Sequence, residues 1–312
     1  MGCQVFDGAF AASDRDMSNA FIYAADNGAC IAQCSYAYDP RSFDSDNAYI
    51  NHTSIEYNAI KYFVNPENCN HSAIGQNLAI FASGNETTSN SGYPGALPIC
   101  VSVTAYGPDY LPTGYTNYGR GCNIAAPGGD YSIGAQNVTN ASQILSTCIR
   151  DVAGVDYVWM EGTSMACPHV SGIAALAISY ALDNNIVLSL PELKDIIVSS
   201  VNNLNPYLTG FKTNVSGGTL NLASYNNKMG TGLIDAYRVL MAVRGTKCIP
   251  IPVGEEVIIN ISSYIGDGTN DKIKMLESEI SEEAIEALGI DCGRLPAVVR
   301  PGAPIGRVTK QA

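Results

Sequence analysis

Two hydrophobic periods alternate along the first 245 residues of this 312-residue chain, and that alternation constrains the fold more than any other feature. Between Ser13 and Gly28, the residues Met17, Ala20, Phe21, Ala24 and Ala25 fall on one face of a helix, and the apolar run Ala29–Ala32 follows as a buried strand. Thr53 and Glu56 have the spacing of a capping box, which predicts a second helix through Val64, with the next strand at Asn77–Ala82. A further strand is expected over Ile99–Thr104, then a loop region rich in Gly, Tyr and Pro, then a long apolar helix from Ser164 to Tyr180. Strands alternating with helices pair in parallel and need cover on both faces. The expected class is therefore α/β, a parallel sheet with helices on both faces.

The chain changes character near Gly245. The stretch Gly232–Gly245 reads as a helix closed by Arg244 and Gly245, with Pro250 and Pro252 beyond it. Residues 246–312 hold 17 charged side chains in 67 positions, against 29 in the 245 positions before them. Two parts are expected: residues 1–245, and a small β-rich appendage over 246–312. The appendage would have strands at Val253–Ser262 and Lys272–Leu276 and a short helix at Glu282–Leu288.

Composition removes several classes of function. With 46% apolar and 15% charged residues, disorder and a coiled coil are excluded. A formal charge of -12 without a basic stripe argues against a nucleic-acid partner. No apolar run approaches the ~18 residues of a membrane span, and no signal-peptide pattern opens the chain. The ten cysteines are too sparse for a disulfide scaffold. Cys30, Cys34, Cys100 and Cys167 read as core thiols, whereas Cys69, Cys122, Cys148, Cys248 and Cys292 lie in less regular stretches, where pairing stays open. No Cys/His spacing has zinc-site character.

The chemistry concentrates in Glu161-Gly-Thr-Ser-Met-Ala-Cys-Pro-His-Val-Ser-Gly172. The Pro168 ring would clash with the Ser164 carbonyl in a regular helix, so the helix cannot begin much before that serine. Ser164 thus faces the backbone N–H groups and the positive dipole end of a helix amino terminus, which suits charge developing on an attacked carbonyl. Ser164 is the candidate nucleophile.

The segment Gly162-Thr-Ser-Met-Ala-Cys-Pro-His-Val-Ser-Gly172 resembles the nucleophile motif of subtilisin-like serine proteases. Other stretches match in the right order. Ala82-Ser-Gly-Asn85 resembles the oxyanion-hole segment, which implies that Asn85 donates to the oxyanion and that Ala82, Ser83 and Gly84 line the substrate cleft. Gly92-Tyr-Pro-Gly-Ala96 resembles the segment in which the family has a cis proline, here Pro94; Ile124-Ala-Ala-Pro-Gly128 and Gly230-Thr-Gly-Leu-Ile-Asp235 resemble later landmarks. Ser35, Tyr36 and Ala37 resemble the end of the substrate-lining strand, with Ala37 departing from the family's glycine, whose lack of a methyl lets backbone and substrate approach closely. The resemblance covers residues 1 to 245. It implies a peptide or protein substrate, an extracellular or cell-surface setting, and no catalytic cofactor; structural calcium is a further implication, although no ligand pattern marks a site.

The family's Asp-x-Gly turn and His-Gly-Thr-His helix start, which precede the oxyanion segment and carry the catalytic Asp and His, have no counterpart. His52 and His71 read as a cap neighbour and a loop residue, and His169 belongs to the helix body. The expectation is a subtilisin-like domain that lacks its amino-terminal segment, with negligible hydrolysis by this chain alone. The open sheet edge would then self-associate or pair with that segment. The alternative is a protease-like fold used as a binding or scaffold module.

Overall fold

Ser13 starts the first long helix because its hydroxyl accepts the Asp16 N–H while the Asp16 carboxylate accepts the Ser13 N–H. The computed structural model describes residues 2–3, 5–7, 10–11, 13–131, 142–148, 154–188, 192–213 and 218–245. The chain divides into units Met1–Arg244 and Gly245–Ala312, and the strands and helix expected within 246–312 lie outside the described residues.

An antiparallel pair, β1 (Phe6–Asp7) and β2 (Phe10–Ala11), precedes α1 (Asp14–Asp26). The N–H groups of Gly28 and Ala29 reach back to Ala25 and Ala24, so these residues close the helix and β3 (Ile31–Cys34) starts two residues later than the sequence suggested. A helix that the sequence reading did not separate follows, α2 (Asp46–His52), capped by the Ser45 hydroxyl. Helix α3 (Ser54–Phe63) begins after Thr53 as expected, but the capping box does not form. The buried Tyr49 hydroxyl needs an acceptor, and Glu56 turns inward to supply it at 2.8 Å instead of reaching back to Thr53.

Strand β4 (Leu78–Ala82) lies where expected, and β5 (Val101–Tyr106) begins beyond a turn in which Cys100 donates to Leu97. After β6 (Ile124–Pro127), strands β7 (Ile144–Thr147) and β8 (Tyr157–Met160) form a two-stranded ribbon that leads into α4 (Thr163–Asp183). Helix α5 (Glu192–Ser199), strand β9 (Val201–Asn202), the β10 (Phe211–Thr213) and β11 (Thr219–Asn221) pair, β12 (Leu233–Ile234) and α6 (Ala236–Val243) complete the order. The single helix expected over Gly232–Gly245 is thus a short strand and a shorter helix, because Asp235 caps α6 by accepting the Arg238 N–H.

The main sheet runs β3-β4-β5-β6-β12-β9, parallel from β3 through β12, with β9 added antiparallel. Strand β4 shows why both faces are apolar. Leu78, Ile80 and Ala82 pack with α4, α5 and α6, whereas Ala79 and Phe81 pack with α1, α2 and α3. Strands β4 and β5 are buried throughout, but β3 is half-open and, among the described residues, pairs only with β4.

Helix α4 is long and apolar enough to cross a membrane by length and composition, which the sequence reading did not anticipate. Its buried side, including Ala166, Val170, Ala174 and Ala177, packs in the sheet's core as a core helix does. Its other side, with Pro168, Gly172, Ala175, Leu176, Ser179 and Leu182, is exposed and carries no charge before Asp183 at the helix end. The eight cysteines among the described residues are free thiols; Cys34, Cys100 and Cys167 are buried, and Cys248 and Cys292 lie outside the described residues.

Candidate active site

Gly162, with φ of 145°, is the N-cap of α4 and lets the chain turn from β8 into the helix at Ser164. Its N–H donates to the Gly128 carbonyl and the Tyr115 hydroxyl, both at 3.0 Å. A side chain at position 162 would stand 3.6 Å from the Ser164 nitrogen and 3.7 and 3.8 Å from Asn85 Nδ2 and Oδ1, so glycine leaves unfilled a space that these groups border. Asn85 cannot turn freely there. Its Oδ1 accepts both the N–H and the hydroxyl of Thr163 at 2.9 Å each, and the Thr163 hydroxyl accepts the Gly84 N–H at 3.2 Å. With Oδ1 committed to donors, Nδ2 is the end of the amide left toward the open space.

The Ser164 hydroxyl donates to the Ser35 carbonyl at 3.2 Å, and the Ser35 hydroxyl donates to the Ser164 carbonyl at 2.7 Å. Gln33, on the open edge strand, donates to the Ser35 hydroxyl at 2.7 Å. The end of β3 and the start of α4 are thereby clamped together. Beneath them, burial pushes the Cys167 thiol up to about 11, so it stays neutral.

A second group of residues, Tyr115 to Asn117, holds the loop after β4, and the sequence reading did not single these out. Asn117 Oδ1 accepts the N–H groups of Glu86 and Thr88 and the Thr88 hydroxyl, while Nδ2 donates to the Ser83 carbonyl and to Glu86. The Tyr115 hydroxyl shares its one proton between the carbonyls of Gly128 and Gly129, at 2.9 and 2.6 Å, and accepts from Gly162. Burial pushes the Tyr115 phenol up, which keeps that proton in place. The only local signal for these roles was the Tyr/Thr/Asn content of a loop.

The expected cleft residues separate into two kinds. Ser35 is exposed beside Ser164, and Tyr36 and Ala37 are half-buried, with the Tyr36 ring edge-on to Phe81 at 5.6 Å. Ala82, Ser83 and Gly84 are buried, and the backbone of Ser83 is consumed by Val103, Gly92 and Asn117. Gly92 lies against the Tyr38 carbonyl and would press a side chain to 2.7 Å from Ala37 Cβ. The Tyr93–Pro94 peptide is cis, as the resemblance implied.

None of the three histidines bonds Ser164. His52 ends α2 beside Phe43, His71 Nδ1 accepts the Ala73 N–H, and His169 Nδ1 bonds the Met165 carbonyl inside α4. Among the described residues, no group of three or more His, Cys, Asp or Glu side chains is placed to hold a metal ion. Where two acids do converge in the interior, at Asp109 and Asp130, the Lys212 ammonium lies between them at 2.9 and 2.7 Å.

The chain is similar in sequence and in fold to known proteins. The extracellular basic protease of Dichelobacter nodosus is 33% identical over 172 residues, covering 54% of this chain and 24% of that protein. The calcium-dependent protease of a Nostoc species is 25% identical over 250 residues, covering 74% and 34%. The chain spans only about a quarter to a third of the length of these relatives. Two solved structures share the fold: the prenylagaramide maturation protease PagA, with a TM-score of 0.55, 22% identity and coverage of 77% and 72%, and a lanthipeptide protease at 0.56, 20%, 77% and 70%. The family model described as the subtilase family matches residues 2–232, and the chain belongs to that family.

Proposed function

We propose that this chain carries the nucleophile half of a subtilisin-like serine endopeptidase that acts on extracellular peptide or protein substrates. The observation that carries the reading is the space kept open by Gly162, bordered by the Ser164 nitrogen and by an Asn85 amide whose Oδ1 is pinned on Thr163. A scissile carbonyl oxygen placed there would meet Nδ2 as its negative charge develops. The Ser164 hydroxyl, released from the Ser35 carbonyl, would attack the carbonyl carbon, and an extended substrate lying along Ser35–Ala37 would bring that carbon to it.

A serine hydroxyl needs a base, and no described histidine reaches Ser164. The Asp and His would come with a strand added beside the open edge of β3, next to the exposed outer side of α4. The chain alone then hydrolyses peptides negligibly. The test is labelling by a fluorophosphonate probe of the full chain, alone and co-expressed with the Asp- and His-bearing segment of a subtilase relative. Labelling is expected only in the complemented protein, lost in Ser164→Ala. In Asn85→Ala, peptide hydrolysis by the complemented protein should fall by about 10² to 10³, a magnitude that comes from subtilisin itself. Stoichiometric labelling of the chain alone would refute the need for an added base, and absence of labelling in both would favour a binding or scaffold module.

A further inference from the structure

Glu56 is fully buried, and the function just described makes no use of it. One carboxylate oxygen accepts the Tyr49 hydroxyl at 2.8 Å, and the other has no partner within hydrogen-bonding distance; the neighbouring Thr53 hydroxyl, also buried, has none either. The side chains around Glu56 are acids or neutral groups. Helix α1 presents Asp14, α2 presents Tyr49, the end of β3 presents Cys34, Tyr36 and Tyr38, and the turn before β5 presents Cys100. Lys194, beside Cys100, spends its ammonium on the carbonyls of Pro98 and Cys100 at 2.7 and 2.9 Å. An ionised carboxylate here would be desolvated without a cation, the costliest state for a buried acid.

The surroundings of Glu56 reach the cleft in two steps. The Tyr49 ring stacks on Tyr93 with centroids 4.9 Å apart, and the Tyr93 carbonyl accepts the Tyr38 N–H at 2.7 Å. The Tyr38 ring lies 6.1 Å from Tyr49, and its hydroxyl faces Asp14 and Glu56. The residues that back the strand end at Ser35–Ala37 therefore rest on a carboxyl group and the tyrosines that surround it.

We propose that Glu56 is held as a neutral carboxylic acid and is the positioning residue of the Tyr36–Tyr38 segment, so that loss of its proton loosens the substrate side of the cleft. This rests on the reading of residues 35–37 as substrate-lining. Burial, as the largest cause, pushes Glu56 above the ordinary glutamate value of 4.5 and the nearby Asp14 charge adds to the rise, while hydrogen bonding with the Tyr49 and Tyr38 hydroxyls opposes it. A carboxyl raised on folding contributes stability that is fully present below about pH 4.5 and is lost as pH rises through its folded value.

The test is a carboxyl-carbon NMR titration of Glu56 in the full chain, with amide hydrogen exchange at Tyr38 followed over the same pH range and corrected for intrinsic chemistry. Glu56 should titrate above 4.5. Exchange at Tyr38 should quicken by about tenfold per unit by which the folded value exceeds the unfolded one. Glu56→Gln, a neutral stand-in for the protonated acid, should keep Tyr38 protected and remove the pH dependence. A Glu56 midpoint at or below 4.5, or parallel exchange profiles in the wild type and Glu56→Gln, overturns the proposal. Neither measurement requires hydrolysis, so absence of Ser164 labelling in the complemented protein defeats the functional reading and not this one.

Discussion

The two flanks of Ser164 are built to different degrees of completion. On the side of β4, β5 and β6, the loop carrying Asn85 is fastened by Asn117, the Thr163 hydroxyl is used twice, and Tyr115 ties Gly162 to the turn at Gly128. On the side of β3, the strand edge is open among the described residues, the outer side of α4 is exposed, and the Ser164 hydroxyl proton rests on a backbone carbonyl. In the proposed reaction, the first flank would stabilise charge without further parts, and the second would need a base to generate the nucleophile. Under the proposed function, oxyanion binding would be local to the 82–88 and 162–164 loops, whereas base catalysis would depend on cover that the described residues do not supply.

Adjacent alanines on α4 put this contrast at its sharpest. Ala174 is fully buried in the sheet's core and Ala175 is exposed on the uncovered side. Ala174→Glu is expected to cost more than about 4 kcal/mol and to abolish cooperative folding, while Ala175→Glu should stay within about 0.5 kcal/mol in urea denaturation of the full chain. A large loss in Ala175→Glu would show that this side of α4 is already covered. Next in size is Asn117→Ala on the complete flank. It strands the buried acceptor and donors that Asn117 now satisfies, at roughly 1–3 kcal/mol each, and a total of about 3–5 kcal/mol should appear as a fall in melting temperature. The smallest effect belongs to the open flank. Ser35→Ala removes an exposed hydrogen bond to the Ser164 carbonyl and should change stability by about 0.5–1 kcal/mol. A larger loss than that of Asn117→Ala would reverse the assignment of the two flanks.

Much of the complete flank could be read from residues close together in sequence. Ser164, Pro168 and the following apolar run announce a helix start by local sterics, and the structure places Ser164 in its first turn. Asn85 follows an apolar strand directly, so its place beyond β4 was legible as well. Asn117 and Tyr115 were not, because their roles arise from partners that fold onto them from distant stretches, 31 residues away for Glu86 and 47 for Gly162. Thr53 and Glu56 show the opposite failure. Their spacing fits a cap, but the demand of the buried Tyr49 hydroxyl outweighed it. The division of Gly232–Gly245 into strand and helix was hidden for a similar reason, since Leu233 is strand only because Ala125 and Asn202 flank it.

Helix α4 rests on the sheet mainly through Ala166, Cys167, Ser171, Ala174, Ala177 and Ala181, with Val170 and Ile178 the bulkiest of its buried residues. Such short side chains act as a fine-toothed rack. A slip along the axis by one residue would shift the helix by about 1.5 Å and drive methyl groups out of their seats all along its length. That same slip would carry the Thr163 N–H, now 2.9 Å from Asn85 Oδ1, out of hydrogen-bonding range. The gauge that sets the distance between the start of α4 and Asn85 is therefore spread over about five turns of alanine-lined contact, well behind the atoms that would react.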